Sequence, residues 1–323
     1  MMMYRPRICS IELFRRCCLR CRMCYMWKAK EEDNGLDKDD LINLADGLET
    51  AMDGEKEVVL SGGEPLLHPE IIEIIRKFSI KGFKVGMASN GILIDNMKAG
   101  QLVDAGLKNI QLSLDSFNKQ THDFLRGISG VYEKVLQAAG FLSAYNRKIS
   151  VCAQTVISGK NLEELIDTIE FVKNDGRFNA ISFMAVTTPF FAPVGNGWQE
   201  NDEFSFLWPR DSKLIDKVID QIIALKAKGY PIANPIAQFE LFRSYFHQPH
   251  KRRSEARCQL GDYVLGIDPK GEVRLCCFME PIGNIRTTTI TNLLEKPEVE
   301  RMRQDMRVCA KVCNTLVNCF FKE

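Results

Sequence analysis

The chain reads as an α/β protein: a partial (β/α)6 barrel followed by a small C-terminal α+β domain. Three observations predict this. β-rich apolar runs alternate with segments of helical period until about residue 190. The chemically unusual residues fall where those runs end. After about residue 250 the alternation gives way to a hairpin pattern.

The β-rich runs are Ile8–Phe14, Glu57–Leu60, Lys84–Ala88, Asn109–Leu114, Ile149–Ile157 and Ala180–Val186. Helix-period segments lie between them, at Asp39–Ala51, Pro69–Ile80, Ile94–Ala105, Tyr132–Tyr145 and Leu162–Lys173, and a further helix is expected at Lys213–Lys228. Such alternation implies parallel strands with helices outside. Six units fall short of the eight that close a barrel. Ala192–Arg210 is a long connection rich in Gly, Pro and Trp, and connections of that length are often functional. Tyr263–Asp268, a Pro-Lys-Gly turn and Glu272–Cys276 read as a β-hairpin. A helix around Leu293–Met306 and a cysteine tail follow. A boundary near residues 235–255 divides the chain into domains 1–235 and 236–323.

Composition narrows the class. The 323 residues are 45% hydrophobic, enough for a sizeable core, and carry a formal net charge of only +1. That balance gives no reason to expect nucleic acid as a partner. No run of about 18 apolar residues exists, so no membrane partner is expected. The first residues, Met1 to Arg16, lack an apolar signal region, which points to a cytoplasmic protein. Twelve cysteines in such a chain, clustered at both ends, read as metal ligands and not as disulfides. The four histidines have no metal-ligand spacing.

Cys17, Cys21 and Cys24 have the spacing C-x3-C-x2-C. Three thiolates can hold an iron–sulfur cube of four irons and leave one iron open, whereas electron-transfer clusters close every iron with cysteine. Zinc is the alternative, but structural zinc takes four ligands and no fourth is well placed. In parallel α/β folds, ligands gather at the C-terminal ends of strands. Cys17–Cys24 follows the first strand, Ser61-Gly62-Gly63-Glu64-Pro65 the second, and Ser89-Asn90-Gly91 the third, while Ser113 and Asp115 end the fourth. Each has a structural reading as a turn or a strand end. All four fall on one rim.

The three-cysteine motif followed by Tyr25, together with Gly62-Gly63-Glu64-Pro65, resembles the radical S-adenosylmethionine (SAM) superfamily over about residues 8–190. The resemblance implies a TIM-like partial barrel in which Cys17, Cys21 and Cys24 hold a 4Fe-4S cluster. SAM chelates its open iron and is cleaved to a 5′-deoxyadenosyl radical that abstracts a substrate hydrogen. Gly62, Gly63 and Glu64 would approach the methionine amino group through a Cβ-free backbone. Ser89 and Asn90 would lie near the ribose. Ser113 would face the carboxylate, and Arg126 is read either as its charge partner or as a surface arginine. Val156, Ile157 and Met184 are read as adenine neighbours or as core.

The tail, with Cys258, Asp268-Pro269-Lys270-Gly271, Cys276-Cys277-Phe278 and Gly283-Asn284-Ile285, resembles the SPASM or twitch extensions that hold auxiliary 4Fe-4S clusters. Cys258 and Cys276 are the firmer ligands, completed from Cys309, Cys313 and Cys319. So few cysteines imply one second 4Fe-4S cluster. The family's reactions imply an external electron donor such as flavodoxin or ferredoxin. They also imply a small-molecule or peptide substrate: oxidation of a small molecule leads, with peptide or sulfatase-type maturation and epimerisation as alternatives. Non-catalytic metal binding would need a broken motif, and none is broken. Cys152 is read as a hydrogen donor or as core filler, and Cys9, Cys18 and Cys277 as structural. Trp198, Trp208 and the region Gln238–His250 are read as pocket lining or packing. Asp115 and Glu240 are acid or base candidates that only geometry can assign.

Overall fold

Each β-rich run becomes a strand: β1 (Ile8–Glu12), β2 (Glu57–Ser61), β3 (Lys84–Ser89), β4 (Leu107–Ser113), β5 (Ser150–Ile157) and β6 (Ala180–Ala185). The structure, a computed structural model, describes residues 6–28, 35–145, 148–195, 197–251, 258, 260–309, 311, 313 and 317–319. All six strands pair in parallel with their sequence neighbours. The helices between them are α1 (Lys38–Ala51), α2 (Ile71–Ile80), α3 (Asn96–Asp104), α4 (Lys119–Arg126), α5 (Val131–Ser143) and α6 (Leu165–Asp175), followed by α7 (Ser212–Ala227) and α8 (Ile236–His247). Aspartates at 37, 95 and 211 cap the first turns of α1, α3 and α7, satisfying orphan N–H groups there. The boundary expected near residues 235–255 falls on α8 and the turn after it.

Side-chain alternation sets the two faces of the sheet. Along β5, Val151, Ala153, Thr155 and Ile157 are buried, while Cys152, Gln154 and Val156 are only half-buried and share the concave face. The buried set forms the core between sheet and helices.

Sequence reading missed α4 and α8. It also expected one helix around Leu293–Met306. The structure has α9 (Leu260–Tyr263), α10 (Ile290–Leu294) and α11 (Pro297–Arg307). Pro297 separates the last two, because proline suits a first helical turn and not an interior.

The hairpin is present as β7 (Val264–Ile267) and β8 (Glu272–Arg274), extended by β9 (Gly283–Asn284). It does not stand apart. Strand β7 pairs in parallel with β1, so one nine-stranded sheet runs β6-β5-β4-β3-β2-β1-β7-β8-β9. Helix α10 packs on α1, with Gly47 against Ile290, and Arg286 Nη2 reaches Asp40 Oδ2 at 2.7 Å.

Candidate functional site

A cavity of about 560 Å³ opens at the C-terminal ends of the barrel strands. Cys17, Cys21 and Cys24 line it, with Gly62, Gly63, Ser89, Asn90, Ser113 and Arg126. The four rim motifs therefore meet in one place. Val156 and Met184 also line it, whereas Ile157 is buried on the opposite face of β5.

The cysteine loop is pinned by backbone contacts on both sides. Gly63 N–H donates to Phe14 O at 2.8 Å and Glu64 N–H to Arg16 O at 2.9 Å. A Cβ on Gly63 would overlap the Arg16 carbonyl, and Gly62 has φ +130°, a backbone that only glycine adopts readily. The Cβ-free approach is thus made to the cysteine loop as well as to the cavity. On the other side, Arg20 N–H and Arg22 N–H donate to Arg126 O and Leu125 O at the end of α4. Gly127 closes that helix in the left-handed conformation, with Arg20 O pressed against the position of its missing Cβ.

Glu64 is fully buried and does not line the cavity. Its carboxylate accepts from Ser89 Oγ (2.8 Å), Asn90 N–H (2.8 Å) and Leu66 N–H (3.1 Å), bracing the second strand-end loop against the third. Burial pushes the carboxyl up to about 7, against the pull of those donors. Asn90 Nδ2 points toward Cys18 Sγ at 3.4 Å.

Arg126 is not a surface arginine. It is 9% exposed, and its Nε lies 2.7 Å from Asp115 Oδ2, at ion-pair distance but without hydrogen-bond alignment. Its Nη1 is 3.9 Å from Cys21 Sγ. His122, one turn earlier on α4, shares that face. The Asp115 N–H donates to its Nδ1 at 3.1 Å, which leaves the proton on Nε2. Burial first, and Arg126 second, hold this imidazole well below its usual range. Asp115 is thereby committed to Arg126 and, through Oδ1, to the Val156 N–H. Glu240 sits on α8 with Arg243, away from the cavity.

Sequence reading missed Glu12. It ends β1 and is the one carboxylate among the described residues lining the cavity. Arg15 Nε donates to it at 3.4 Å. The signal was available: Glu12 shares the alternating face of Ser10.

The metal-free thiols hold their protons. Burial pushes Cys24 up to about 11 and also raises Cys21. Cys17 is raised by its hydrogen bond to Cys18 and by burial, leaving Cys18 the more acidic of the pair at about 6. Metal binding must displace such protons. Among the described residues no three His, Cys, Asp or Glu close round a single ion. Three thiols fringing one cavity, with a guanidinium on one of them, suit a larger polynuclear group.

In the tail, Cys276, Cys313 and Cys309 act electrostatically on Cys258, and Cys313, Cys258 and Cys276 act on Cys319. The five expected cysteines therefore lie within electrostatic reach of one another's neighbours, although among the described residues no three of them close round a single ion. Burial lifts Cys319 to about 12. Asn318, beside it, lines the cavity and brackets Ala185, accepting its N–H at 2.8 Å and donating to its O at 2.9 Å. Gln238 Nε2 holds Val317 O at 3.0 Å, which gives α8 its part in the site.

The radical SAM superfamily profile matches residues 11–172, half the chain, and the SPASM iron–sulfur cluster-binding domain matches residues 258–319. This chain belongs to the radical SAM superfamily. It is 30% identical over 319 residues to the AdoMet-dependent heme synthase of Methanosarcina barkeri, covering 93% of this chain and 85% of that protein. It is 25% identical to the subtilosin biosynthesis protein AlbA of Bacillus subtilis, covering 93% and 62%. The fold matches Streptococcus suis SuiB bound to S-adenosylmethionine with a TM-score of 0.70 at 13% identity, covering 93% and 68%. This radical SAM enzyme carries a SPASM domain, and its cofactors are a 4Fe-4S cluster, SAM and further iron–sulfur at the tail.

Of the remaining expectations, the two tryptophans and Cys9 resolve toward packing. Trp198 and Trp208 stack edge to face at 5.7 Å, and Trp208 meets Tyr245 at 5.2 Å, away from the cavity. Cys9 is fully buried and Cys277 exposed. Cys152 shares the half-buried face of Gln154 and Val156 on β5, its thiol 3.4 Å from Ser182 Oγ. Among the described residues no helix is long and apolar enough to cross a membrane.

Proposed function

We propose that this enzyme oxidises a small organic molecule by hydrogen-atom removal, with a single tail cluster receiving the electron left behind. The observation that carries the reading is the Asn318–Ala185 bracket, which docks the cysteine tail on the rim of β6 and sets Cys319 beside a cavity-lining residue. Similarity to the heme synthase along nearly the whole chain supports a small-molecule substrate.

Cys17, Cys21 and Cys24 would hold the cluster, and Gly62, Gly63, Ser89, Asn90, Ser113 and Arg126 would surround SAM. Bound together, these groups supply a carbon-centred radical that takes a hydrogen atom from the substrate. The chain's own residues do the rest. Arg126 offers positive charge at the cavity wall while Asp115 fixes its position. Glu12 is the base. For an alcohol, loss of the C–H hydrogen atom would leave a radical whose O–H proton Glu12 is placed to accept, and a cluster held in the tail would supply the one-electron acceptor that formation of the carbonyl requires. Cys258 and Cys276, with two of Cys309, Cys313 and Cys319, would hold that cluster.

A second reading, peptide maturation, is favoured by the similarity to AlbA and by exposed Phe190 and Phe191 at the mouth. The test is anaerobic turnover with a deuterated small-molecule extract. Deuterium in 5′-deoxyadenosine together with a product two hydrogens lighter supports oxidation. A product one mass unit lighter, with one deuterium replaced by solvent hydrogen, would replace it by epimerisation. Labelled product found only in added peptide would replace it by maturation.

A further inference from the structure

We propose that the outer face of the cysteine loop, centred on Phe124, is the landing site of an acidic one-electron carrier protein. From Phe14 to Cys24 the loop carries four arginines and no Asp or Glu, in a chain whose net charge is only +1. Arg20 and Arg22 are exposed. The Arg22 guanidinium lies over the Phe124 ring at 4.2 Å, with its Nε on Phe124 O at 3.0 Å. The Lys160 ammonium approaches the same ring at 5.2 Å. Phe124 is 37% exposed and Ile128 38% exposed, and together with Gly127 they line a shallow depression of about 450 Å³. An apolar centre is thus ringed by cations that the ring holds in place.

The nearby carboxylates offset only part of this charge. Asp123 lines the depression as one anion, its oxygens accepting the N–H groups of Gly130 (2.6 Å) and Tyr132 (2.8 Å), and Glu133 is paired with Lys119, so Arg20, Arg22 and Lys160 leave the rim net positive. Charge of one sign steers a partner of the other sign, and an apolar anchor at the centre holds it.

Position selects an electron carrier over other anionic partners. Arg22 is bonded to Cys21, and Arg126, two residues beyond Phe124 on α4, reaches Cys21 Sγ. Arg20, Arg22, Phe124 and Lys160 do not line the cavity. A protein docked here reaches the cluster loop from the side that leaves the substrate mouth open. One electron would pass from the carrier's reduced flavin toward the group held by Cys21, with no bond made or broken. The inference rests on the cluster assignment of the proposed function.

The test uses reconstituted holoenzyme and a purified bacterial flavodoxin. Binding of oxidised flavodoxin is followed by flavin fluorescence anisotropy, and 5′-deoxyadenosine formation is driven in parallel by reduced flavodoxin or by dithionite. In Arg22→Glu/Lys160→Glu, Kd and the half-saturating flavodoxin concentration should each rise about tenfold or more. The dithionite-driven rate should stay within about twofold. Unchanged Kd in this variant overturns the proposal. Should the variant lose iron, the wild-type protein still decides: flavodoxin binding must weaken about tenfold between roughly 0.05 and 0.3 M salt, and salt-independent binding overturns it. Absence of 5′-deoxyadenosine even with dithionite would sink the proposed function instead, and the binding measurement would still judge the docking face.

Discussion

Arg126 and Asp115 lie side by side in the barrel wall, Nε 2.7 Å from Oδ2, both withdrawn from water. The pair joins three things that lie far apart in sequence. Asp115 lies just past the fourth strand, Arg126 ends α4, and the guanidinium reaches the sulfur of Cys21. An arginine stays charged even when buried, so the cost of holding that charge out of water beside the cluster loop is offset by Asp115.

Removing one member should therefore cost more than removing both. Asp115→Asn is expected to lose about 3–5 kcal/mol of stability by leaving a buried charge unpaired. Asp115→Leu/Arg126→Leu should recover much of it. Anaerobic urea denaturation of the metal-free protein measures this, and a cost below about 1 kcal/mol for the single change would show that the pair is not electrostatically coupled.

Glu64 should give the metal-free protein a pH dependence of defined sign. Its folded-state pKa, about 7, lies above the unfolded value of about 4.3. The associated stability is then complete below the unfolded value and is lost as pH rises through about 7. The loss amounts to about 4 kcal/mol. Glu64→Gln cannot titrate, so the stability difference between wild type and variant should shift by this amount from acid to neutral pH. A difference that stays constant with pH would refute the assignment.

Gly63→Ala should disturb the cysteine loop directly, since the new methyl would meet the Arg16 carbonyl. A cost of about 3 kcal/mol is expected, with most cluster iron lost after reconstitution. Gly195→Ala, where nothing stands within 4 Å of the new carbon, is the matched control. Full iron content in Gly63→Ala would mean that the loop relaxes freely.

Glu12→Gln should separate two halves of the reaction. SAM cleavage should persist while substrate oxidation falls about 100-fold, the usual loss for a general base. The ratio of oxidised product to 5′-deoxyadenosine reads this out, and Glu12→Asp should restore part of it. Equal loss of both products would make Glu12 a structural residue.

Much of this was legible from the residues. The six strands lie within two residues of where their β-rich runs placed them, because buried parallel strands read as apolar runs. All four rim motifs meet, as strand-end positions in this architecture require. Local reading failed where partners are distant. Helix α4 is short and mostly polar, so although its faces differ, the buried one, with Thr121, His122, Leu125 and Arg126, offers a single aliphatic residue and no run of apolar positions to recognise. Arg126 could be either exposed or ion-paired until Asp115 was placed beside it. Trp198 and Trp208 could line a pocket or a core until Tyr245 was seen against them. Glu12 was absorbed into a strand whose faces had not been sorted. No local pattern announces that β7 pairs with β1.

That last pairing has a consequence for anyone who shortens the chain. In a sheet that does not close on itself, β1 would be an edge strand, with a row of free N–H and C=O groups ready to recruit another molecule. Residues 264–267 occupy that edge from Ile8 to Ile11. Cutting the tail away would therefore bare an adhesive border as well as remove cysteines. The expected symptom is a truncated barrel that self-associates, even with its first three cysteines intact.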